Sequence, residues 1–170
     1  MSNNSSPASA SAVISDPEVQ RAVWFLGALL QVRVSGAQTD GRFAVIEHSA
    51  RRSYNSPMHI HHDDDETFLV LDGALRVVCG GQEYAAQAGT AALLPHGVEH
   101  GFAVTSPDAR ILTLHHPAGF ENFVIEVGAP APELLLPPPL EGPPPPEAVE
   151  ALAAAAARYG MTIVGPPPST

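Results

Sequence analysis

The stretch Pro57-Met58-His59-Ile60-His61-His62-Asp63-Asp64-Asp65-Glu66-Thr67-Phe68-Leu69-Val70-Leu71-Asp72-Gly73 decides how this chain is read. Side chains alternate along a strand, so His59 and His61 point to one face and His62 to the other. The two Cα atoms then sit roughly 6.5–7 Å apart, near enough for both imidazoles to reach one ion. Asp63 to Asp65 turns the chain and reads as a solvated acidic turn. A new strand begins at Glu66, with Glu66, Phe68 and Val70 on a shared face. If that face is a barrel interior, the Glu66 carboxylate reaches the same ion. Asp72-Gly73 then carries a hairpin signal.

A second segment runs from Gly89 to His100. Ala91 to Leu94 reads as a strand that ends at Pro95. Gly97 turns the chain, and the next strand places Val98, His100, Phe102 and Val104 on one face. A lone histidine on an apolar face is ordinarily a core or surface residue. The first segment is what gives His100 a further meaning.

Further out, short strands recur between Gly and Pro punctuation. Leu30, Val32 and Val34 alternate with polar residues; in the next strand Ala44, Ile46 and His48 share one face and Phe43, Val45 and Glu47 the other. Leu75 to Cys79, the Gly80-Gly81 hairpin signal, Gln82 to Ala86, and Ala109 to His115 continue the series. Such spacing argues for a β-sandwich or barrel. Val23 to Leu30 fits helix or strand by pattern alone, and Ser15 with Glu18 has the spacing of a capping box before a short helix.

The composition divides the chain. All eight histidines lie between His48 and His116, while twelve of the eighteen prolines lie between Pro130 and Pro168. The body therefore carries the chemistry-bearing residues. The tail reads as an extended Pro-rich lead, a helix over 147–159 with Gly160 as its stop, and a strand over 161–164. Phe120 to Val127 reads as a short helix. Residues 1–15 read as a disordered Ser/Ala/Asn-rich leader rather than a signal peptide.

Several function classes are excluded. The net charge is -10, with eight Arg and no Lys, so nothing resembles a phosphate-neutralising stripe and a nucleic-acid partner is not expected. Schiff-base chemistry needs an amine side chain that this chain lacks. The single cysteine, Cys79, rules out an internal disulfide and a thiolate zinc cluster. The longest apolar run, Val23 to Leu30, is too short to span a bilayer, so no membrane partner is expected and a cytoplasmic location is.

The two segments resemble the paired motifs of the cupin superfamily, G-x5-H-x-H-x3–4-E-x6-G and G-x5-P-x-G-x2-H-x3-N. His59, His61, Glu66 and Gly73 match the first at the expected spacing; Gly89, Pro95, Gly97 and His100 match the second. Ser53 stands in place of the leading Gly and Val104 in place of the closing Asn, and neither position supplies a ligand in the family. Trp24 to Gly27, Thr39 to Phe43 with Glu47, and Pro117 to Phe123 also resemble small single-domain bacterial cupins grouped with quercetin 2,3-dioxygenases. The resemblance runs from about Ala22 to Pro130.

It implies an all-β double-stranded β-helix over residues 16–128, followed over residues 129–170 by a Pro-rich extension that contains the helix over 147–159. One divalent ion (Ni, Fe, Mn, Co, Cu or Zn) would be held by His59, His61, Glu66 and His100. The implied reaction is dioxygenase cleavage of an enolic or phenolic, flavonol-type small molecule with O2, with Glu66 as general base. Phe68, Val70, Leu94, Phe102 and Leu112 are the apolar candidates to seat the substrate. Two other functions remain open: a metal-dependent isomerase or cyclase of small-molecule biosynthesis, and a non-catalytic small-molecule-binding module. A homodimer is implied by the same resemblance. His115 and His116 are candidates for the pocket mouth, and His48 for a partner of a ligand.

Overall fold

The computed structural model describes residues 12–52, 54–140 and 142–169. Most of the leader expected over 1–15 lies outside these residues, as does Ser53. Among the described residues twelve strands form two antiparallel sheets. In chain order they are β1 (Arg21–Phe25), β2 (Ala28–Val34), β3 (Ala44–Arg51), β4 (Met58–His61), β5 (Asp65–Asp72), β6 (Ala74–Cys79), β7 (Gln82–Gln87), β8 (Ala91–Leu94), β9 (His100–Val104), β10 (Asp108–His116), β11 (Ala129–Pro130) and β12 (Met161–Gly165). Helix α1 (Phe120–Val127) follows β10, and α2 (Pro146–Arg158) precedes β12. One sheet has the order β11-β1-β2-β3-β10-β5-β8 and the other β12-β4-β9-β6-β7. From β3 to β10 the chain crosses between the facing sheets at every connection except the β6–β7 hairpin, as a jelly roll requires, and the expected all-β barrel is what the chain forms.

Local chemistry explains the turns. The ambiguous run Val23 to Leu30 is a hairpin, because Leu26 and Gly27 both take positive φ (49° and 87°) and reverse the chain between β1 and β2. The expected helix near Ser15 is a single 3-10 turn, Pro17–Val19. Asp72-Gly73 corrects the sequence reading. It does turn the chain, but β5 and β6 do not pair; they belong to different sheets. A turn dipeptide encodes a reversal and leaves open which sheet the next strand joins. Gly73 is required there: a Cβ would lie 2.3 Å from the Asp108 carbonyl oxygen, and φ is 81°. Gly80-Gly81, by contrast, closes a true β6–β7 hairpin.

The core sits between the sheets and changes character along the barrel axis. Val70, Leu75, Val77, Val104 and Ile111 fill one end and are all buried. Toward the other end the inward positions become Phe68 and Thr113, then Glu66 and His115. Full burial of each large apolar side chain contributes about 1.5–3 kcal/mol. That apolar half therefore supplies the stability against which a polar end can be held. No helix among the described residues is long and apolar enough to cross a membrane.

Candidate metal centre and its cavity

Two cross-strand pairs build the polar end. His59 on β4 lies opposite His100 on β9, and Glu66 on β5 lies opposite His115 on β10. Side chains facing each other across an antiparallel pair start about 4.5–5.5 Å apart at Cβ. His61 joins from two residues beyond His59. One ligand atom each from His59, His61, Glu66 and His100 then lie within 4.8 Å of one another.

Every imidazole of the group is oriented from behind. His59 Nδ1 donates to the Pro57 carbonyl at 2.8 Å, and His100 Nδ1 to that of Val98 at 2.8 Å. His61 Nδ1 and His115 Nδ1 donate to the two oxygens of one carboxylate, Asp64, at 2.8 and 3.0 Å. An acceptor at Nδ1 fixes the ring and turns Nε2 toward the centre. The Nε2 atoms of His61, His100 and His115 are buried there without an aligned hydrogen-bond partner. Those of His100 and His115 lie 3.3 Å from Glu66 Oε2 and Oε1, and that of His61 lies 4.0 Å from Oε2. Three such buried nitrogens around one carboxylate are costly unless something satisfies them. A divalent first-row cation is the partner this donor set suits.

The electrostatics follow from burial and charge. Burial dominates at His59 and, with the neighbouring imidazoles, lowers its pKa to about 4. At His115 burial opposes protonation, but the Glu66 and Asp64 carboxylates on either side outweigh it and raise the pKa to about 9. Asp64 has the mirror balance: burial raises its pKa, while its bonds to His115 and His61 bring it down to about 2. Glu66 is fully buried, yet the charge of His115 and the contacts with His100 and His115 hold it well below the usual carboxylate range.

Sequence reasoning misses Asp64 and places His115 only as a candidate for the pocket mouth beside His116, not among the clustered side chains. The solvated-turn expectation fails for Asp64, whose side chain is only 13 % exposed. The signal for His115 was present, because it shares strand parity with Ala109, Ile111 and Thr113, all buried. The remaining histidines divide as follows. His48 is buried and bonded to the Tyr54 hydroxyl at 3.0 Å and to Thr113 Oγ1 at 3.1 Å. His62 points away and meets Thr162, and His96 meets Asp65; both are exposed, as is His116.

An apolar cavity of about 50 Å3 opens onto His59 and Glu66. Phe25, Tyr54, Phe102, Phe120 and Phe123 supply aromatic wall, and Leu152, Ala156, Met161 and Ile163 come from the C-terminal extension. Of the five apolar candidates named from sequence, Phe102 lines this cavity. Phe68, Val70 and Leu94 are buried and do not line it. Leu112 has the wrong parity: on β10 the inward positions are odd-numbered, so it faces outward. Strand parity distinguishes inside from outside but not height along the barrel, and the apolar inward residues are mostly at the far end.

Residues 47–126 match the family model for the cupin domain. A curated relative, the quercetin 2,3-dioxygenase of Bacillus subtilis, is 27% identical over 107 residues, which are 63% of this chain and 32% of the relative. The chain thus spans about a third of that protein's length. Among solved structures, KdgF from Halomonas superposes with a TM-score of 0.57 at 18% identity, covering 65% of this chain and 99% of KdgF. The Streptomyces nucleoside dehydratase Pac13 superposes with a TM-score of 0.55 at 17% identity, covering 66% of this chain and 88% of Pac13. At such identities the two structures establish a shared fold.

Proposed function

The chain belongs to the cupin superfamily, and from that premise we propose that it is a metal-dependent dioxygenase of the quercetin 2,3-dioxygenase type. The substrate class is an enolic or phenolic, flavonol-type small molecule. The observation that carries this reading is an aromatic-walled cavity that opens onto an imidazole and carboxylate cluster with inward-turned Nε2 atoms. The distant quercetin 2,3-dioxygenase relative supports it.

His59, His61, Glu66 and His100 would hold the ion. A bound divalent cation supplies Lewis acidity that lowers the proton affinity of a substrate hydroxyl. Glu66 is the one carboxylate lining the cavity among the described residues, so it is the base positioned to take that proton. The phenyl rings of Phe102, Phe120 and Phe123 seat a planar substrate and exclude water. In the full reaction a flavonol and O2 give a depside and carbon monoxide.

A second reading, a metal-dependent isomerase or cyclase, is favoured by one observation. The cavity of about 50 Å3 is small for a flavonol. A homodimer is proposed as well. Leu69, Leu71, Leu93 and Leu114 are exposed on the outer face of β5, β8 and β10, where a second copy would cover them. The deciding experiment incubates metal-loaded protein with quercetin, in air and anaerobically, while recording oxygen uptake and carbon monoxide. Uptake matched to flavonol loss is expected. No uptake by fully loaded protein would sink the dioxygenase reading and leave the isomerase or the binding module.

A further inference from the structure

The C-terminal extension forms part of the reaction cavity's wall. Strand β12 pairs with β4, setting Met161 opposite His61 and Ile163 opposite His59, and α2 brings Leu152 and Ala156 over the same space. The match to the family model ends at residue 126. These walls lie outside the matched segment.

The two parts of the extension are attached very differently. β12 is zipped to β4, and the Gly160 carbonyl accepts from the His62 backbone N–H at 2.9 Å. Helix α2 has far less. Of its thirteen residues only Ala155 and Ala156 are buried, with Leu152 and Ala153 half-buried. Its main polar tie is exposed: Arg158 and the Tyr159 hydroxyl both donate to Glu126 on α1, the latter at 2.5 Å. Gly160 lies between the loosely held helix and the firmly held strand, with φ of 72°. The cavity beneath is about 50 Å3, small beside the roughly 300–1,000 Å3 of an ordinary ligand pocket. Movement of α2 would enlarge it, because Leu152 and Ala156 form part of its wall.

We propose that α2 is a lid that turns about Gly160, with β12 as its fixed base, and that Leu152 and Ala156 set the size of substrate the cavity accepts. The Glu126 contacts with Arg158 and Tyr159 are the latch. The size argument rests on the proposed aromatic substrate; the lid itself rests on the attachment of α2.

Amide hydrogen exchange on the full metal-loaded chain tests the lid without any ligand. The amides of α2 should exchange at least about tenfold faster than those of β4 and β12, as a sub-global opening rather than whole-barrel unfolding. Glu126→Gln should speed α2 exchange by about two- to fivefold, the loss expected of an exposed polar tie, and leave β9 and β10 unchanged. Protection of α2 equal to that of β9 and β10 would overturn the lid. Quercetin association, followed by its absorbance, should accelerate in Glu126→Gln by the same factor as the exchange. Leu152→Ala should bind the flavonol more readily than Leu152→Phe, with equal metal content in both; equal flavonol binding would overturn the size role. If α2 opens as expected but neither quercetin nor a simple catechol binds any variant, the lid stands on the exchange data and the flavonol reading falls.

Discussion

Asp64→Asn is the sharpest perturbation of the centre. The Asp64 carboxylate accepts from His61 at 2.8 Å and from His115 at 3.0 Å, one oxygen to each ring. An asparagine of the same shape has one oxygen and one NH2. It can satisfy one ring but confronts the other with a donor. The ring that loses its acceptor can place its proton on Nε2, which takes a lone pair away from the ion. A hydrogen bond to a charged group is worth about 1.5–3 kcal/mol. Loss of an outer partner of a ligating histidine costs roughly 10- to 100-fold in metal affinity. The two ranges agree, since each tenfold step is about 1.4 kcal/mol. Competition titration with Zn2+ or Co2+ against a chelator should therefore show Asp64→Asn weakened by one to two powers of ten. His62→Ala serves as the control, because His62 sits on the other face and meets only Thr162 among the described side chains. Equal affinity in Asp64→Asn and the parent, with both folded, would refute the shared-carboxylate argument.

Three more outcomes are expected. His61→Ala should lose metal by elemental analysis, whereas Glu66→Ala should retain part of it and lose turnover; full retention in both would remove the ligand assignment. Metal-free protein should lose stability as pH falls from about 6.5 toward 4, because burial holds the folded pKa of His48 near 4, below its unfolded value, so the native state resists a proton that the unfolded chain accepts. His48→Gln should flatten that acid limb in thermal melts, with the remaining slope due to His59 and, toward pH 4, to the lowered Asp64 and Glu66 carboxylates, and an unchanged limb would remove His48 from the account. Leu69→Glu with Leu114→Glu should convert a dimer to a monomer by light scattering; a dimer that persists would move the interface elsewhere.

Much of this was legible in the sequence because strand parity is a strict rule. It brought His59, His61 and Glu66 to one interior and made sense of His100. The same rule, carried along β10, places His115 inside and Leu112 outside. Treating His115 as the end of a strand hid it, though β10 continues to His116. Asp64 was hidden for a different reason. Three consecutive acids resemble a solvated turn, and only the tertiary approach of β10 supplies the second imidazole. Asp72-Gly73 encodes a reversal but not the exchange of sheets that follows it. The tail was legible as a helix and a strand, but the docking of Leu152, Met161 and Ile163 on the cavity depends on long-range contacts that no local pattern records.

The arrangement of the histidines has a consequence for the life of the protein. His59, His61 and His100 belong to the five-stranded sheet, whereas Glu66 and His115 belong to the seven-stranded one. An ion held by the three histidines and Glu66 would be a cross-link between the two halves of the barrel. Binding to the folded state alone adds stability by mass action, about 4 kcal/mol at a thousand times the dissociation constant. Metal supply would then govern how long the folded chain survives heat and proteolysis, as well as whether it turns over substrate.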